Sequence, residues 1–140
     1  MDDNINLFYP AILTNLITIL LFINSKIHDR ILLFLMIIGQ IILISGDIFN
    51  NRKLIELSHI LFTITIVIGS CYFYEKQNLY FIGTLLSILF ITRYLYNDKC
   101  LFHLNSNNYR FNFIEEYFDW DWVNILKMIF IYLIYRLWNL

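Results

Sequence analysis

Charge is the scarcest ingredient of this chain: 15% of its residues are Asp, Glu, Lys or Arg, against 59% that are hydrophobic. About a quarter of the residues of an ordinary soluble domain are charged. A soluble protein of 140 residues hides such an apolar excess only by heavy self-association, whereas lipid accepts it directly as a solvent. Ten cations against eleven anions leave a net charge of −1, so the basic footprint of a nucleic-acid-binding protein is missing.

The other shortages exclude particular chemistries. The two cysteines, Cys71 and Cys100, offer neither metal-ligand spacing nor a disulfide framework, and they are expected on opposite membrane sides, beyond bridging distance. With four glycines in all, the chain has no phosphate-cradling loop, no Gly-x-Ser-x-Gly elbow and no potassium-filter sequence; Cys-x-x-Cys and His-Glu-x-x-His are absent too. The single proline, Pro10, falls in the opening turn of the first apolar run, where a missing N–H costs little. One alanine and two valines stand against 26 isoleucines, a skew that reads as an AT-rich genome, so the position of an apolar residue informs more than its identity. The opening Met1-Asp2-Asp3-Asn4 is acidic where a secretory signal is basic, and the apolar run behind it is expected to be a retained span.

What the chain does have is oily runs. A helix needs about 20 mainly apolar residues to cross hydrocarbon. Five segments approach that length, at about 7–24, 31–49, 54–74, 79–96 and 121–138, separated by short polar breaks and one long connection, 97–120. They predict an all-α membrane protein, a single compact bundle of about five transmembrane helices over 1–140. Within the long connection Phe111, Ile114, Phe118 and Trp122 recur at helical spacing opposite Asn112, Glu115, Glu116 and Asp119, which predicts a short amphipathic helix at the interface before the last span. Tyrosines and tryptophans cluster at the expected span ends, the level that amphipathic rings prefer. The apolar runs are continuous rather than alternating, against a β-barrel. No internal repeat relates the two halves, against an inverted-repeat transporter. Lys and Arg near the span ends lean toward an N-terminus facing the cytosol.

Small residues mark expected helix contacts: Gly39 and Gly46 on one face of the second span, Thr65 and Gly69 in the third, Gly83 and Ser87 in the fourth. With alternating spans, Asp47, Glu56, His59, Arg93 and Lys127 fall on the same membrane side, and Glu56, His59, Thr63 and Ser70 form one stripe of the third helix. Charged side chains in a bilayer must pair or snorkel. This cluster is therefore read first as a charge-balanced network that orients helices, and second as a proton or ion relay through His59, with Glu56 or Asp47 accepting. Glu56-x-x-His59 also matches the i, i+3 ligand pair of di-iron bundles, but those sites require a second such pair, so no metal and no other cofactor is expected. The leading expectation is a small multi-pass protein without catalytic activity, a structural, assembly or partner-binding component whose partners are the lipid bilayer and other membrane proteins or itself, with no nucleic acid. A proton or ion pathway comes second and a membrane-embedded enzyme third.

Overall fold

The computed structural model describes residues 8–95 and 122–140, and these are almost wholly helical. Among the described residues run five helices, α1 (Phe8–Asn24), α2 (Ile27–Ile48), α3 (Arg52–Tyr72), α4 (Lys76–Leu95) and α5 (Trp122–Asn139). Three of them, α2, α3 and α4, are long and apolar enough to cross a membrane, fewer than the five spans expected. The 17 residues of α1 give about 26 Å of helix at 1.5 Å per residue, a little short of the hydrocarbon thickness. In α5 the apolar residues are diluted by Lys127, Arg136, Asn124 and Asn139. The helix expected before the last span, around Phe111 to Trp120, lies outside the described residues, as does Cys100.

One boundary differs in a way that matters. The second helix begins at Ile27 rather than near residue 31, so Asp29 and Arg30, expected in a polar turn, occupy its first turn instead. An acidic side chain there faces the positive end of the helix dipole, which favours helix over turn.

The connections are short, which forces antiparallel neighbours. Between α2 and α3, Asn50 takes φ 49°, the left-handed conformation that asparagine tolerates better than most residues. Its N–H bonds to Asp47 O at 3.3 Å and that of Asn51 to Gly46 O at 2.8 Å, the paired bonds that close a helix C-terminus at a Schellman turn. Asn51 then starts α3, its side chain accepting from the Lys53 N–H at 3.1 Å. Asn51→Ala is expected to lower stability by about 1 kcal/mol, measured as a shift in the denaturation midpoint of detergent-solubilised protein.

The α2–α3 pair makes the most extensive contact, followed by α1–α2, while α4 and α5 lean on α3 and on each other over smaller areas. A core of Leu33, Met36, Ile66, Phe73, Leu79, Ile82, Leu86, Leu126 and Leu133 joins α2 to α5. Most of it lies toward the end where α3 turns into α4. At the opposite end the last turns of α4 stand off from α1, α2 and α3 across a cavity of about 270 Å³.

Glycine permits the close approach of α2 and α3 at one point in particular. A Cβ on Gly46 would lie 3.0 Å from the backbone nitrogen of Ile55 and 2.9 Å from its Cγ1. Gly39 has more room, with Leu61 Cβ at 3.4 Å. Gly83 looks toward Leu133 of α5, and Gly69 toward the ring of Phe73 one turn on in its own chain. Thr65 and Ser87 bond to carbonyls of their own helices, Phe62 O at 2.9 Å and Gly83 O at 2.8 Å.

Candidate functional site

Two polar regions stand at opposite ends of the bundle, and the more deeply buried of them is not the one singled out in the sequence. It forms where the α1–α2 and α3–α4 turns meet. Asp29, on the inward face of the first turn of α2, is 1% exposed. One carboxylate oxygen accepts from the backbone N–H of Tyr74 at 3.0 Å and the other from that of Glu75 at 3.0 Å and from Asn78 Nδ2 at 2.7 Å. The remaining N–H of the Asn78 amide reaches Ser25 Oγ at 2.9 Å, and the Lys26 N–H donates to Glu75 Oε2 at 3.0 Å. A buried charge is tolerable when donors surround it, and here the donors are main-chain groups that a turn between helices would otherwise leave unmet.

Two arginines complete this end. Arg30 donates to Ser25 O at 2.7 Å and Ile23 O at 3.1 Å, closing the C-terminus of α1, while its guanidinium lies 5.9 Å from the Phe22 ring centre. Arg136, near the end of α5, donates to Ser70 O at 2.8 Å and Phe73 O at 2.7 Å and so closes α3. Both cations sit where the helix dipoles are negative, and their charge-assisted bonds satisfy carbonyls that lack an intrahelical partner. Chemically this assembly is a clamp, since each charged group is committed to backbone atoms. Sequence reasoning passed over Ser25, Asp29, Arg30, Asn78 and Arg136. The available signal was Asp29 just before an apolar run, since acidic residues are enriched in the first turn of a helix.

The residues singled out in the sequence lie toward the other end. Asp47 in α2, Glu56 and His59 in α3 and Arg93 in α4 are half-buried, and Lys127 in α5 is exposed. In the stripe of α3, Thr63 is half-buried and Ser70 fully buried, bonded to Ile66 O at 2.8 Å. Among the described residues, three buried polar atoms here and along α1 have no hydrogen-bond partner: Glu56 Oε1, Arg93 Nε and Asn15 Oδ1. Among the described residues, no three His, Cys, Asp or Glu side chains gather closely enough to hold a metal ion. His28 is exposed, its ring 5.9 Å from that of Tyr74, Cys71 is exposed near the end of α3, and His103 lies outside the described residues.

The cavity belongs to this second end. Its walls are mostly apolar, with Ala11, Leu43, Phe62, Leu85 and Leu89 among them, and its polar groups are Thr14, Gln40, Ser58, Thr92 and Arg93. Gln40 is held in place by α1: the Thr18 hydroxyl donates to Thr14 O at 2.7 Å, which leaves its oxygen to accept from Gln40 Nε2 at 3.2 Å. Such interhelical bonds contribute about 0.6 kcal/mol on average in membrane bundles.

Outside its apolar core, the described part of the molecule departs from the distribution of a water-soluble protein. Thr18, Ser25, Asp29, Gln40, Ser58, Thr65, Ser70 and Asn78 are buried, while Leu13, Leu16, Leu20, Ile31, Ile41, Ile64, Ile91 and Ile131 are exposed. The described residues form an all-helical bundle, with three helices among them able to cross a membrane by length and composition. Comparison with protein-family models, with curated proteins and with solved structures finds no match.

Proposed function

We propose that the chain is an integral membrane protein of five spans that works without catalysis, as a structural, assembly or partner-binding component of its membrane. The observation that carries this reading is the extensive exposed aliphatic surface. Aliphatic side chains face outward along the middle of the helices, and the exposed aromatics gather near the ends, with Tyr9, Phe49 and Tyr94 toward one and Tyr72, Tyr74, Tyr135 and Trp138 toward the other. Lipid solvates the first group and the headgroup level suits the second. Snorkelling of the exposed Lys127 of α5 and local thinning around α1 accommodate the two less regular spans at modest cost. Of the buried polar side chains, those of the clamp are engaged in joining helices, which supports a role in architecture rather than in turnover.

The unpartnered Glu56 Oε1 and Arg93 Nε favour a second reading, a proton or ion path at that end. One experiment separates the two. Chain reconstituted in liposomes is expected to resist carbonate extraction and to pass neither protons nor alkali cations above the empty-vesicle rate. Flux that disappears in His59→Ala, with insertion retained, would replace the first reading with the second. Release of the protein by carbonate would defeat both.

A further inference from the structure

The cavity between α1, α2, α3 and the last turns of α4 has the chemistry of a ligand site. Its volume of about 270 Å³ exceeds the roughly 150 Å³ aliphatic cavities that stay dry and take up benzene-sized guests. Two of the residues that line it, Leu13 of α1 and Ile88 of α4, are also exposed on the aliphatic surface, which gives a guest a lateral way in from lipid. At the level of Thr92 stands Arg93, the one charged residue on the wall among those described; neither Asp47 nor Glu56 lines it. Arg93 Nε is buried without a hydrogen-bond partner. A desolvated guanidinium nitrogen left unmet is costly, and an anionic oxygen is the partner its geometry fits best.

We infer that this cavity binds one anionic phospholipid of the surrounding bilayer, with an alkyl chain lying along the apolar walls and the phosphate at Arg93. An alkyl chain gains little by leaving hydrocarbon for an apolar wall. Selectivity therefore comes from the head, where the Arg93 guanidinium meets a phosphate whose charge is not balanced by a choline. Near a surface one such cation favours an anionic lipid by about fivefold.

The inference rests on the membrane reading above, and its test keeps the two apart. Chain carrying photoreactive benzoylphenylalanine at position 88, on the cavity rim, is reconstituted in vesicles of equal parts phosphatidylcholine and phosphatidylglycerol and irradiated, and the attached lipid is identified by mass spectrometry. Phosphatidylglycerol is expected to be labelled over phosphatidylcholine by about fivefold, Arg93→Gln to level the two, and Arg93→Lys to keep most of the preference. Equal labelling in the chain with Arg93 intact overturns the site, as does a preference that survives Arg93→Gln or label found only on the chain's own peptides. Failure of the chain to enter the vesicles would instead remove the membrane reading and the site together.

Discussion

Replacing Asp29 by alanine is expected to lower the stability of the folded bundle by about 3–4 kcal/mol, because three donors lose a charged acceptor at once. The backbone N–H groups of Tyr74 and Glu75 and the amide of Asn78 all point at this carboxylate. The Asn78 amide has no room to turn toward water without opening the junction of the two turns, since Asn78 is fully buried and Asp29 nearly so. Asp29→Asn keeps one carbonyl oxygen and places an N–H where the second oxygen was, so it should retain less than half of the stabilisation. Equilibrium unfolding of detergent-solubilised protein measures the loss, and amide exchange at residues 74 and 75 locates it. A loss below about 1 kcal/mol, the worth of an ordinary neutral hydrogen bond, would mean that the carboxylate does not hold the turn.

The second large effect belongs to Gly46. A leucine there drives its Cβ against the main-chain nitrogen of Ile55, which belongs to the opening turn of α3 and cannot step aside as a side chain would. Overpacking of this kind costs about 1–3 kcal/mol, and contact with backbone puts Gly46→Leu at the upper end. Gly39→Ala is the control within the same helix pair. The nearest atom stands at 3.4 Å, an ordinary contact distance, so the gain in helix propensity is expected to leave the protein unchanged or up to about 1 kcal/mol more stable. Equal losses at both positions, measured in the same unfolding titration, would show that the close approach of α2 and α3 is not localised at their turn.

These effects bear on how far the sequence announces the molecule. The helical character and the places where the chain turns were legible, because long apolar runs broken by Asn50-Asn51-Arg52-Lys53 or Glu75-Lys76-Gln77-Asn78 leave few other arrangements. The polar clamp was not, and the reason is physical. Hydropathy puts Ser25 to Arg30 outside the bilayer as a turn, yet α2 begins at Ile27, which turns Asp29 inward. A carboxylate that bonds to backbone has no complementary residue type to look for along the chain, since any N–H will serve. Residues were instead singled out by charge and shared membrane side, a criterion that gathers Asp47, Glu56, His59, Arg93 and Lys127 without saying which way each side chain points; Lys127 in fact points outward. Nor does spacing foretell the cavity, which arises because the contact between α3 and α4 is slight for helices joined by a short turn.

The clamp's preference for main-chain partners has a consequence for how this protein tolerates change. Asp29 recognises position 74 through an amide hydrogen, and Arg136 recognises positions 70 and 73 through carbonyls, so the side chains at the first of these answer to their surroundings and not to the bond. Nineteen of the genetically encoded residues bring the required hydrogen to position 74, and proline alone does not. Substitution there is open to drift, whereas the acid that reads it is fixed, and a saturation library of the two positions should come back lopsided in that sense.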